Sequence, residues 1–433
     1  MFDRQPKDKD IYKSSRIMYI LDAAFEYFIS ILTTGAYLAK LTSSIGISDG
    51  TTAILSTLGS LAGSLQVISI FLAHKTPVKR WVVPLISVDS IIMTLLYLIP
   101  FLAISPSATS VLFFVIVFGA QVMKSIASPA KTNWFMSLVN PRTRGAFSAA
   151  LQAVSLIGGM IFTFVTGIVI DKYEAANNLK GAFIVLTITI LCLALLRIIC
   201  LSFAKEKVQP NTEKVSPLGE VKILIHNKRF IRYITVNLLW AISTSLSTPF
   251  FGTYQINELG FSMTLISSLS IAFSILQLIF TAIMGKLSLR YPAIRLLCFG
   301  YPISVLSYLV MVFTMPKNGI MMFIIYRVIS IIGGAALTVG GTIAYDITRY
   351  RERTSALAIN TILTGTVSFI VTLLATSIFN YVKSETVFGL SVYPQQFLSA
   401  ITVIIGIAVT LYVFFFFAPS IKEEPPYSDE ENE

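Results

Sequence analysis

Runs of about twenty apolar residues recur along this chain between short polar stretches, each long enough to cross a ~30 Å hydrocarbon layer as a helix. The pattern predicts spans near residues 16–39, 52–73, 81–103, 109–132, 146–170 and 182–204, then near 230–253, 263–285, 295–315, 320–345, 355–379 and 395–418. These runs are too long and too evenly apolar for the roughly ten-residue alternation of a membrane β-barrel. Twelve helices are therefore expected, six on either side of a polar segment that carries Pro210 and Pro217.

The halves repeat weakly. Leu55-Ser-Thr-Leu58 and Leu65-Gln-Val-Ile68 match Ile266-Ser-Ser-Leu269 and Leu276-Gln-Leu-Ile279. Arg142-Thr-Arg144 followed by Ser148 resembles Arg351-Glu-Arg353 followed by Ser355, and Tyr19-Ile20 resembles Tyr233-Ile234. Collinear matches of this kind argue for two parallel six-helix repeats. The expected fold is all-α and polytopic: twelve helices in two six-helix pseudo-symmetric bundles around a central cavity. Residues 1–15 then form a cytoplasmic tail, 16–204 the first bundle, 205–229 a cytoplasmic linker, 230–418 the second bundle, and 419–433 an acidic cytoplasmic tail.

Composition agrees with this picture. Of 433 residues, 55% are hydrophobic and 13% charged, too few charges to cover a soluble surface. The net charge of +11 would point to nucleic acid in a soluble protein. Here the cations gather in short loops, so they set topology instead, and no nucleic-acid partner is expected. With both termini inside, 25 of the 33 Lys and Arg fall in cytoplasmic segments, Lys131 among them, and five fall outside. The multi-pass chain is thus expected in the cell membrane as a monomer, with both termini cytoplasmic and the lipid bilayer as its partner. The charged first fifteen residues lack the apolar core of a cleavable signal peptide. Cys192, Cys200 and Cys298 sit in apolar spans, and both histidines, His74 and His226, fall in loops. That distribution offers no metal-ligand spacing and no nucleophile motif, so neither an enzyme nor a resident cofactor is expected.

Candidate chemistry lies in ionisable groups within the spans, which usually face a bundle interior or a water-filled cavity. Asp22 and Glu26 are four apart, on one face of the first span. At about 1.5 Å per residue Glu26 falls near mid-depth and Asp22 one turn closer to the cytoplasm. Lys124 in the fourth span reaches a similar depth and is the expected partner of Glu26; a structural ion pair is the competing reading. Arg327 lies in the outer third of the tenth span, Asn237 and Trp240 in the seventh, and Gln66 and Gln277 at equivalent places in the second and eighth. Arg197, about seven residues from the cytoplasmic end of its span, reads as a side chain snorkelling to the interface.

The chain resembles the major facilitator superfamily of secondary transporters over nearly its whole length. The loop His74-Lys-Thr-Pro-Val-Lys-Arg80 and its counterpart Gly285-Lys-Leu-Ser-Leu-Arg290-Tyr-Pro-Ala-Ile-Arg295 keep the basic residues of the family's loop motif and lack its Asp. Ser128-Pro-Ala-Lys-Thr-Asn-Trp134 through Arg142-Thr-Arg-Gly145 is similar to the end of the fourth helix and its loop in many members. The antiporter signature of a Gly-Pro pair in the fifth helix is missing. The resemblance implies that spans 1, 4, 7 and 10 line the cavity, which puts Glu26, Lys124 and Arg327 on its walls. It also implies gating loops carrying Lys75, Arg80, Arg142, Arg144, Arg290, Arg295, Arg351 and Arg353. The expected function is transport of a small-molecule substrate by alternating access, with H+ as coupling ion through Glu26. Drug or metabolite efflux by the same fold is the alternative, and a non-transporting receptor a third reading. Glu26, Asp22, Lys124 and Arg327 sum to about zero charge, which suits a neutral sugar, a zwitterion, or an organic anion entering with protons.

Overall fold

The computed structural model describes residues 11–69, 77–102, 104–139, 144–206, 224–341, 343, 347–348, 353–384 and 393–422. Every regular element among them is helical. The main helices are α1 (Lys13–Thr33), α2 (Gly35–Ser44), α3 (Asp49–Gly63), α4 (Val78–Thr94), α5 (Pro106–Ser137), α6 (Arg144–Ala175) and α7 (Leu179–Phe203). They continue with α8 (Lys228–Ser245), α9 (Met263–Ser288), α10 (Ala293–Val312), α11 (Gly319–Gly340), α12 (Arg353–Ser384) and α13 (Pro394–Tyr412).

By length and composition, nine helical segments among the described residues can cross a membrane, or ten if α1 and α2 count as one bent span. Two of the twelve expected spans are therefore not established by this measure. For the second, α3 passes into a 3-10 turn at Ser64–Val67, and residues 70–76 lie outside the described chain. In the seventh, Lys228, Arg229 and Arg232 make the start of α8 polar, and the chain then breaks around Pro249 into a 3-10 turn, Thr248–Phe250. A short helix, Phe251–Thr253, and a π turn, Tyr254–Glu258, follow. Proline removes a backbone donor and clashes with the preceding turn, so a break there is expected.

The chain gathers into two compact units. One comprises Met1–Thr33, Gln66–Ile104 and Val111–Thr212; the other comprises Thr34–Leu65, Ser105–Ser110 and Glu213–Glu433. In the first unit α1 packs on α6 and α7, and α4 packs on α7. Gly158 and Gly159 open α6 to the rings of Phe28 and Tyr27 on α1; a Cβ at Gly158 would stand 2.6 Å from Phe28. Small residues at helix contacts let backbones approach closely where lipid provides no hydrophobic drive. Tyr19 stacks on Phe135 at 4.2 Å, and Trp134 donates from Nε1 to the Lys205 carbonyl at 3.0 Å. The ends of α4 and α7 hold one another. Glu206 accepts from the backbone N–H groups of Val78 (2.7 Å) and Lys79 (3.3 Å), while Lys79 Nζ donates to the carbonyls of Ser202 (2.7 Å) and Ala204 (2.8 Å). An acid thus meets the positive start of one helix and a base the negative end of the other.

The second unit has its closest packing between α10 and α11, where Gly300, Gly333 and Gly340 admit Leu337, Ser304 and Leu297. In the same unit Lys383 pairs with Asp49 at 2.9 Å, and Asn257 donates to the same carboxylate at 2.6 Å. Two interrupted helices meet in this unit. Thr34 is extended and Gly35 has φ of +57°, a left-handed conformation that a side chain would strain. The carbonyl oxygen of Gly35 comes against Gly252, where an added Cβ would stand 2.7 Å from it.

Because both atoms at that contact are fixed to backbone, Gly252→Ala is expected to destabilise the protein by about 1–3 kcal/mol, the usual cost of overpacking. Thermal unfolding in detergent measures it. Gly119→Ala, with open space around the added methyl, serves as a control and leaves the melting temperature unchanged or slightly raised.

Candidate functional site

Within the first unit four helices send charged side chains to one place. On α1, Asp22 and Glu26 are one turn apart on the same face, and on α5, Lys124 and Lys131 are two turns apart. Asp22 uses both oxygens: Oδ2 meets Lys131 Nζ at 2.9 Å and Oδ1 meets Arg197 Nε at 3.1 Å. Glu26 meets three cations, Lys124 at 3.0 Å through Oε1, and Lys131 at 2.6 Å and Arg197 at 2.9 Å through Oε2. Arg197 extends from α7 to a third acid, reaching Asp89 on α4 at 3.4 Å, and donates to Ser90 Oγ at 2.8 Å. Three acids face three bases, so the cluster is neutral when all are ionised.

Burial grades the cluster. The Asp22, Arg197 and Lys131 side chains are 0%, 2% and 6% exposed, whereas Glu26 and Lys124 reach 20% and 33%. The inner three form a sealed knot, and the Glu26–Lys124 pair is the edge that solvent can reach. Charges this buried persist only when paired and hydrogen-bonded.

Two sequence readings change here. Lys131 is interior, not a loop cation, because α5 continues through Pro129 to Ser137 instead of ending near residue 132. Arg197 does not snorkel; its guanidinium turns inward to three carboxylates, which outweighs the pull of the interface. Asp89 on α4 joins the same knot. The expected partnership of Glu26 with Lys124 is present as a contact.

In the second unit Arg327 is half-buried and lines a cavity of about 490 Å3. The wall includes both helix interruptions, at Thr34–Gly35 and at Thr248–Thr253, and side chains from α3, α8, α9, α11 and α12. Asn237 and Trp240 line a smaller cavity of about 120 Å3. There Asn237 donates to Asn360 at 2.9 Å, and Trp240 lies edge-on to Tyr301. Gln66 sits half-buried in the 3-10 turn after α3, and Gln277 is exposed on α9, outside either lining. Of the loop cations, Arg80, Arg290 and Arg295 are exposed. Lys75, Arg142 and Arg351 lie outside the described residues, as do the side chains of Arg144 and Arg353. Among the described residues no group of three His, Cys, Asp or Glu could hold a metal ion.

Removing one member of the sealed knot strands its partners. Arg197→Met is expected to cost about 3–5 kcal/mol, as for other broken buried pairs, seen as a lower melting temperature and less monodisperse protein in detergent. Adding Asp22→Asn to Arg197→Met should restore part of the loss, because the two changes are coupled through one contact. Strictly additive losses would contradict the arrangement.

Comparison with known proteins places this geometry in a family. The family model described as Major Facilitator Superfamily matches residues 19–266 and 237–433. No curated protein sequence matches the chain. Among solved structures, the nucleoside transporter NupG aligns with a TM-score of 0.69 at 13% identity, over 92% of this chain and 98% of that one. A D-xylose-proton symporter aligns with a TM-score of 0.71 at 14% identity, over 93% and 97%. A bacterial homologue of the human lysosomal transporter Spinster aligns with a TM-score of 0.69 at 12% identity, over 98% and 99%. Identities this low speak for fold, and the family model matches almost the whole chain: the protein belongs to the Major Facilitator Superfamily and has the fold of a multi-pass membrane transporter.

Proposed function

We propose that the protein is a secondary transporter that moves a small solute across the cell membrane by alternating access, coupled to protons through Glu26. The observation that carries this reading is the graded exposure of the charge cluster. Coupling needs an acid that water can reach in one state and whose charge is felt by other helices. Glu26 meets both needs: it lies at the accessible edge and contacts Lys124 and Lys131 on α5 and Arg197 on α7. A proton on Glu26 would leave three cations facing two acids. Lys124, the most exposed cation, is then the least costly contact to release, and its release would favour a different packing of α5 against α1. A ligand or proton shifts such an equilibrium only by its differential affinity for the two packings. One fold relative, a D-xylose-proton symporter, supports proton coupling as chemistry this fold accommodates.

Asp22 and Glu26 are already met by lysine and arginine, which removes the charge argument for a trap that attracts cationic drugs. The Lys and Arg distribution supports a topology with both termini in the cytoplasm.

The test is uptake into proteoliposomes of labelled sugars, sugar acids and nucleosides under an imposed pH gradient. The wild type should accumulate at least one solute above its outside concentration. Glu26→Gln should lose gradient-driven accumulation by about tenfold or more, within the range typical of coupled equilibria, while keeping gradient-free exchange. Full accumulation by Glu26→Gln would sink the coupling role, and absence of flux across the panel would count against transport of these classes.

A further inference from the structure

We infer that the cavity in the second unit binds a hydroxylated organic anion, whose carboxylate or phosphate ester pairs with Arg327. The inference rests on the transporter reading and names the substrate class of that transporter. Among the described residues Arg327 is the one charged side chain in the cavity lining. No carboxylate among the described residues forms an ion pair with it, and none lines the cavity. Its described contact is the face of Phe273, 5.5 Å from the ring centroid. A ring face attracts the cation without neutralising it. In the first unit the two fully buried cations, Lys131 and Arg197, are each met by carboxylates, whereas half-buried Arg327 has none among the described residues. Guanidinium presents paired N–H donors in a planar fork that matches carboxylate and phosphate oxygens. An anionic ligand supplies the missing counter-charge.

The remaining lining defines the rest of the ligand. Several hydroxyls spend their proton on their own helix. Ser56 donates to the Thr52 carbonyl at 3.0 Å, Thr57 to Ile54 at 2.9 Å, Thr244 to Trp240 at 3.0 Å and Thr253 to Phe250 at 2.9 Å. A hydroxyl used this way still has lone pairs to offer, so these positions present acceptors. They complement a ligand whose own O–H groups donate, and they disfavour a second anionic group away from Arg327. The volume of about 490 Å3 falls within the roughly 300–1,000 Å3 common for small-molecule sites. One anionic end and several donor hydroxyls are the features of a sugar acid or sugar phosphate.

Full-length protein purified in detergent at low salt, titrated with D-gluconate, D-glucose 6-phosphate, D-glucose and D-glucosamine, tests the assignment. Gluconate or glucose 6-phosphate should bind about tenfold or more tightly than glucose or glucosamine, as loss of a charge-assisted contact implies. The two anions separate a carboxylate site from a phosphate site. Arg327→Gln should abolish the preference, and Arg327→Lys should keep part of it. Should Arg327→Gln not fold, a second readout stands: Ser270→Cys, with the three native cysteines replaced by serine, should react faster with an anionic than with a cationic methanethiosulfonate reagent. Glucose binding as tightly as gluconate, an unchanged preference in Arg327→Gln, faster reaction with the cationic reagent, or no binding of either anion would each overturn the inference. Proteoliposome flux of another solute class would leave the transport reading standing while this assignment fails. Gluconate binding that depends on Arg327 but brings no flux would have the opposite meaning.

Discussion

Arg197 is the contact on which the first unit turns. It is fully enclosed, and each edge of its guanidinium meets an oxygen: Asp22 from α1, Glu26 one turn above, Asp89 and Ser90 from α4. A buried cation of this kind cannot be left with a vacant edge, so two helices, α1 and α4, are bound to α7 through one side chain. Lys131 adds α5 by meeting the same two acids of α1. The ion knot contributes little stability beyond what apolar packing of equal volume would give. Its consequence is register: sliding α1 by one residue would turn both acids away from Arg197 and Lys131. The clamp of Glu206 and Lys79 and the Tyr19–Phe135 stack fix the same helices at their ends.

The second unit is governed by interruption instead of charge. Its cavity is bordered where α1 gives way to α2 at Thr34–Gly35 and where the chain after α8 breaks at Pro249. Interrupted helices expose backbone polar groups that lipid cannot satisfy, so such breaks persist where they are buried in protein or line a cavity. The close approach of Gly35 and Gly252 brings the two breaks together and leaves space beside them.

What the sequence disclosed followed local cost. Asp22 and Glu26 stood out because two carboxylates in one apolar run are expensive, and counting residues gave the depth that paired Glu26 with Lys124. The pairing of Arg197 was hidden because depth does not fix direction; only the placement of α1 and α4 against α7 decides whether its long side chain turns inward. Lys131 was hidden because, in the last turn of the expected span, it was counted with the loop cations, yet α5 continues beyond it to Ser137. The hydroxyl-lined cavity had no local signal at all. Its serines and threonines come from separate helices, and each looks like any other small residue in a span.

Charge balance divides the chemistry between the two units. In the cluster of the first, three acids and three bases match in number and in contact, so a change of its charge must come from outside, and Glu26 lies at its accessible edge. In the second, the cavity lining carries one cation and no acid among the described residues, so its balance depends on what enters. A cluster that is neutral by itself responds to protons, and a cavity lined by one positive charge responds to an anion. A solute bearing one negative charge and arriving with one proton would answer both demands at once, which is the physical reason to treat coupling and substrate class as a single question.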